Sequence, residues 1–252
     1  MPDKNENVSN TVEVQPGGAT FQTIGAALAS IKDNRLQKQY ILYVGPGTYS
    51  EKVVMKPYVS IQGAGQDQTI ITAPAASDAF SGGTVIAASN CTLGSVTVQS
   101  LGGHWGSYST ALSCSGVINF SCDNSMLIVD DQNQAGVNQG TVNVDFNYYG
   151  TPSVVYINYC TIKCTAQNGQ SGASCLNGWT KASTQVIDSK LAATGGMQPF
   201  GVITARGGIV TLDSCYIEGS YFALYDSDSI SPITANQCQI KGPISNGVTV
   251  NN

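Results

Sequence analysis

The chain has 252 residues, a net charge of −5 and only 11% charged residues, against about a quarter in ordinary soluble domains. It has two arginines, Arg35 and Arg206, and no basic cluster; phosphate binding needs a basic footprint, so no nucleic-acid partner is expected. Hydrophobic residues make up 42%, enough for a core, and no apolar run approaches the ~20 residues that span a bilayer, so membrane insertion is not expected either.

Taken in chain order, residues 1–12 read as a flexible lead and 13–252 as one domain. The opening Met1-Pro2-Asp3-Lys4-Asn5-Glu6-Asn7 is polar and lacks the apolar core of a secretory signal. Release by another route, a virion or the cytoplasm are the locations left open. Residues Thr20 to Ile31 place Phe21, Ile24, Leu28 and Ile31 on one helical face, with Thr20 able to cap the start. This predicts a capping helix over about 20–32. Short strands follow: Tyr40-Ile41-Leu42-Tyr43-Val44 before Gly45-Pro46-Gly47, Val53-Val54-Met55 before Pro57, then Val59-Ser60-Ile61 and Thr69-Ile70-Ile71-Thr72. With no helices between them, they are not βαβ units.

A polar residue, any residue, Cys or Ser, any residue and an aliphatic recur from there on. Ser89-Asn90-Cys91-Thr92-Leu93, Asp123-Asn124-Ser125-Met126-Leu127, Asn158-Tyr159-Cys160-Thr161-Ile162, Asp213-Ser214-Cys215-Tyr216-Ile217 and Asn236-Gln237-Cys238-Gln239-Ile240 are the copies, with Asp188-Ser189-Lys190-Leu191 a degenerate relative. The late spacings, 188 to 213 and 213 to 236, suit one turn of a three-sided solenoid; the wider early ones imply inserted loops. The predicted fold is all-β: a single-stranded right-handed parallel β-helix of nine or ten coils, a rod of about 45 Å. Asn168-Gly169, Asn177-Gly178 and Asn246-Gly247 are the hairpin signals that would favour an antiparallel sandwich instead. The eight cysteines read as a buried structural ladder. With no Cys-x-x-Cys pair and His104 the only histidine, neither a metal nor a cofactor is implied.

Residues 11–72 resemble the opening of the pectin methylesterase family. Phe21-Gln22-Thr23-Ile24 with its Ala-rich sequel, Gly45-Pro46-Gly47-Thr48-Tyr49-Ser50-Glu51, with the family's Gly-x-Tyr-x-Glu, and Ile61-Gln62-Gly63-Ala64-Gly65 carry that likeness. It implies the pectin-lyase-like fold, which other solenoids share. Further on, Gly140-Thr141-Val142-Asn143-Val144-Asp145-Phe146-Asn147-Tyr148-Tyr149-Gly150 resembles the family's Gly-Thr-Val-Asp-Phe-Ile-Phe-Gly, read with insertions, and Val154 to Ile162 resembles the run that follows it. The resemblance implies an aspartate nucleophile, a second aspartate as general acid, glutamine amides for the oxyanion and an orienting arginine. A carboxylate can attack an ester while a protonated neighbour donates to the leaving methanol. On that footing Asp145 is the candidate nucleophile, Asp131 in Val129-Asp130-Asp131-Gln132 the candidate acid, and Arg206 the candidate arginine. The departures are an Asp-Gln order where the family has Gln-Asp, Ser109-Thr110-Ala111-Leu112 where it has Gln-Ala-x-Ala-Leu, and no Leu-Gly-Arg-Pro-Trp.

The plainer readings of these residues are a strand-ending Asp145, a solvated loop at Asp130 and Asp131, and a surface ion pair at Arg206. His104, Trp105, Tyr108, Tyr148, Tyr149 and Trp179, with Tyr221 and Tyr225, could offer flat rings to pyranose faces. Two functions are therefore expected in competition. One is a non-catalytic solenoid that binds a polysaccharide or glycan surface, or serves in an extracellular or virion assembly, with end-to-end or lateral self-association through its open edge. The other is a divergent pectinesterase-type carbohydrate esterase acting through Asp145, Asp131 and Arg206.

Overall fold

The computed structural model describes residues 10–18, 20–74, 82–145 and 151–252. Apart from one short helix these form short strands that pair in parallel with the equivalent strand of the next coil, giving a three-sided parallel β-helix. Among the described residues sheet one has ten strands, from Asn10–Val14 to Val248–Asn251; sheet two stacks seven, with Tyr108–Ser109 paired beside Asn138 and Gln139, and sheet three stacks eight. No helix among the described residues is long and apolar enough to cross a membrane.

Each sheet turns one column of aliphatic side chains inward. In sheet one, Leu42, Ile61, Leu93, Cys122, Ile157, Val186, Leu212 and Ala235 are in register. In sheet two the column is Val53, Val85, Leu112, Val142, Leu176, Val202 and Leu224, and in sheet three Ile71, Val98, Leu127, Ile162, Leu191 and Ile217. All of these are fully buried, so every coil roofs the apolar surface of the one before it.

The Cys and Ser copies mark the corner between sheets one and three. Asn124, Tyr159, Asp188, Ser214 and Gln237 have φ between 46° and 55°, the left-handed turn that redirects the chain. The next residue points inward and accepts a backbone N–H from the preceding coil: Val96 N–H donates to Ser125 Oγ (3.3 Å), Cys160 N–H to Ser189 Oγ (3.0 Å), Cys215 N–H to Cys238 Sγ (3.3 Å). Either oxygen or sulfur serves, which is why Cys and Ser interchange there. Ser89-Asn90-Cys91 was expected as the first copy but occupies another corner, since Cys91 opens a sheet-one strand and pairs with Phe120. Asn90, with φ 59°, makes the same kind of turn, and one local pattern therefore serves both corners.

All eight cysteines are free thiols; seven are buried and Cys238 is half-buried. Burial pushes Cys91, Cys164 and Cys215 up to about 12, which keeps them protonated at neutral pH. We expect Ellman's reagent to modify at most Cys238 in the native chain at neutral pH and all eight thiols in denaturant. Rapid native labelling of three or more would contradict this packing.

Two boundaries differ from the sequence reading. Residues 10–12 were assigned to a flexible lead, but they belong to the first strand, in which Asn10 pairs with Tyr40 and Val12 with Leu42. The helix runs Ile24–Ser30 and is capped by Thr23, not Thr20, because Phe21 bridges to Val14 and Gln15 N–H donates to the Phe21 carbonyl. Both Glu51 oxygens accept the first helical N–H groups, those of Ile24 and Gly25, at 2.8 Å. The Gly-x-Tyr-x-Glu segment thus satisfies helix donors that have no partner within the helix.

Candidate functional site: a groove on sheet two

The outer face of sheet two carries two columns side by side. One runs Gly140, Ser174, Phe200, Phe222, and the other Ser113, Asn143, Asn177, Ile203, Tyr225. Both change from small and amide groups in the earlier coils to aromatic and aliphatic ones in the later coils. Where they change, a groove of about 210 Å³ opens, lined by Gly140, Asn143, Ser174 and Asn177 together with Tyr108, Trp179 and Phe200.

The floor is a relay of hydrogen bonds. Asn177 Nδ2 donates to Asn143 Oδ1, and Asn143 Nδ2 donates to Thr110 Oγ1 at 2.8 Å. Ser174 Oγ donates to the Gln139 carbonyl at 3.0 Å. The lack of a side chain at Gly140 makes room for the relay, since a Cβ there would lie 2.3 Å from Asn177 Nδ2 and 2.6 Å from Asn143 Oδ1. Beyond the groove the rings continue: Phe222 stacks on Tyr225 with centroids 4.7 Å apart, Phe200 stacks on Tyr225 at 5.2 Å, and Tyr221 meets Phe200 edge-on at 5.4 Å.

The three catalytic candidates do not converge. Asp131 is fully buried just past the sheet-three strand Met126–Asp130. Its Oδ1 accepts the N–H groups of Asn133 and Gln167 at 2.9 Å, and its Oδ2 that of Asn168 at 3.1 Å. The carboxylate ties its own turn to the matching turn of the next coil. Asp145 ends the sheet-two strand Asn138–Asp145 at the opposite corner, an eight-residue strand that spans about 20 Å. Arg206 lies two coils further along that second corner, just past Ala205, in an exposed turn where its backbone N–H donates to Asp228 Oδ2. No Asp, Glu, Lys, Arg or His is among the described residues lining the groove.

Of the aromatic candidates, Tyr108 and Trp179 line the groove, while His104 and Trp105 do not. Trp105 is 70% exposed, with its ring against Gly136 of the neighbouring turn. His104 sits beside it, its backbone N–H donated to Ser107 Oγ at 2.9 Å. Tyr148 and Tyr149 lie outside the described residues. Among the described residues no cluster of His, Cys, Asp or Glu could hold a metal ion. Gly140, Asn143, Ser174, Asn177 and Phe200 were not picked out from the sequence. One signal was available for Asn143: read without insertions, Gly140-Thr141-Val142-Asn143 sets an asparagine where the family's Gly-Thr-Val-Asp has its aspartate.

The fold and this groove define a class, the parallel β-helix with a surface cleft on one sheet. Comparison with known proteins narrows it. The Pectinesterase family model matches residues 10–124. Probable pectinesterase 30 of Arabidopsis thaliana is 35% identical over 71 residues, 27% of this chain and 14% of that protein. Probable pectinesterase/pectinesterase inhibitor 19 of the same plant is 34% identical over 70 residues, 27% and 13% of the two chains. The match thus spans about one seventh of these curated relatives. Among solved structures, the pectin methylesterase of Aspergillus niger superposes with a TM-score of 0.64 at 16% identity, over 97% of this chain and 81% of that one. The carrot enzyme gives 0.61 at 16% identity over 97% and 88%. A pectin methylesterase in complex with a hexasaccharide gives 0.55 at 12% over 97% and 81%. Over residues 10–124 the chain resembles the pectinesterases, and its parallel β-helix is the fold of solved pectin methylesterases.

Proposed function

We propose that the chain is a saccharide-binding β-helix whose groove on sheet two does not supply the ionisable side chains that ester hydrolysis by carboxylates needs. The observation that carries this reading is that the described residues lining the groove are all uncharged. Ester hydrolysis by carboxylates needs a nucleophile and an acid that reach one substrate bond, within hydrogen-bond distance of the atoms they serve. Asp131 and Asp145, at opposite corners of one sheet, do not meet that requirement, and the carboxylate of Asp131 is engaged by three backbone N–H groups. Amides and a hydroxyl on the floor with rings on the walls suit a chain of sugars, whose hydroxyls pair with the former and whose C–H faces pack on the latter. Tyr108 and Trp179 are the binding residues, the helix Ile24–Ser30 closes the N-terminal end, and the rod lies outside the cell or in an assembly.

The test is methanol release from methylated pectin, run beside affinity electrophoresis in gels containing polysaccharide. We expect no release above the rate without protein, together with retarded migration. Release that disappears in Asp145→Asn or Asp131→Asn would establish the divergent esterase in its place.

A further inference from the structure

We infer that the groove selects an uncharged polysaccharide and discriminates against polyuronates. This rests on the saccharide-binding reading and adds the class of ligand. A polyuronate brings one carboxylate per sugar. Entering the groove strips water from carboxylates, and that loss is recovered only where a cation or several donors meet each one. The described residues of the lining include no cation. Its donors are already partly spent, with Asn143 Nδ2 on Thr110, Asn177 Nδ2 on Asn143 and the Ser174 hydroxyl on Gln139. The lining also holds the amides of Asn138 and Gln198, which both donate and accept, and the acceptor Asn177 Oδ1; mixed donors and acceptors suit sugar hydroxyls, whereas a carboxylate can only accept.

The surroundings act in the same direction. The chain carries −5 overall, and Asp145 follows Val144, the strand partner of Gly178 beside Trp179. The cations nearest along the chain, Lys181 and Arg206, are both exposed on turns past the end of the sheet-two strands, outside the groove lining. Asp228 accepts the Arg206 backbone N–H and so places a carboxylate against that turn. The walls contribute Trp179 and Phe200, whose contact with a sugar face does not depend on its charge.

The test titrates the full chain by calorimetry with neutral polymers (β-1,4-galactan, α-1,5-arabinan and hydroxyethyl cellulose) and with polygalacturonate of matched length, at low and high salt. At least one neutral polymer is expected to bind independently of salt, about tenfold more tightly than polygalacturonate. Trp179→Ala should weaken it about tenfold, with an unchanged circular dichroism spectrum confirming the fold. Tighter binding of polygalacturonate, weakened by salt and lost in the Lys181→Ala/Arg206→Ala double variant, would overturn the selectivity while leaving saccharide binding in place. Failure of every polymer would remove the saccharide reading itself, and this inference with it.

Discussion

Replacing Asp131 by alanine should destabilise the chain by about 4 kcal/mol, since hydrogen bonds to a charged group contribute about 1.5–3 kcal/mol each and three of them meet on this buried carboxylate. The three N–H groups on its carboxylate come from two turns, 131–137 and 167–171, so removal unties neighbouring coils as well as one loop. At roughly 2–4 °C per kcal/mol for a chain of this size, the melting midpoint should fall by roughly 10 °C. Asp131→Asn should cost about half as much, because one oxygen still accepts while the new NH₂ group faces a donor. Thermal melts followed by circular dichroism make the comparison. A midpoint unmoved in both variants would mean that the carboxylate carries no structural load, and would return Asp131 to the list of catalytic groups.

The second large effect is expected on binding. In Gly140→Ala the new methyl would fall on the amides of Asn177 and Asn143 at 2.3 and 2.6 Å, so the relay on the groove floor must move aside. Those neighbours are side chains, not backbone, and the coils can keep their stacking. The stability cost should therefore stay near 1–2 kcal/mol, while affinity for the neutral polymer falls about tenfold. That corresponds to about one hydrogen bond of roughly 1.4 kcal/mol. Calorimetry alongside a melt separates the two quantities, and an unchanged affinity would exclude the amide relay from the binding surface.

The fold was legible because its rules are local. Short β-branched runs ending in turn residues, without helices between them, leave few architectures, and the Cys and Ser copies recur once per coil at a corner that needs a left-handed residue followed by a small inward one. The same locality misled at Ser89-Asn90-Cys91, where another corner has the same need. It also misled at Thr20, where capping chemistry three residues early was outweighed by the pairing of Phe21 with Val14. The groove was much less legible. Its floor unites Gly140 and Asn143 with Ser174 and Asn177 one coil later, and a separation of 34 residues along the chain becomes about 4.8 Å across the sheet. No periodicity in one sequence announces that meeting. Asp145 and Arg206 drew attention through the family resemblance, whereas the described residues of the groove carry no charge.

Over four successive later coils the turns from sheet three to sheet two shorten steadily. Residues 131–137, 167–171, 196–198 and 220–221 supply seven, five, three and two positions in successive coils. The inward columns stay in register throughout, so the number of residues in these turns is decoupled from the packing of the core. Ligand preference in such a rod can therefore diverge through gain or loss of residues at one edge, with the strands untouched. Selection can remodel what the molecule holds without putting its folding at risk, and a lineage that loses one chemistry keeps a scaffold ready for another.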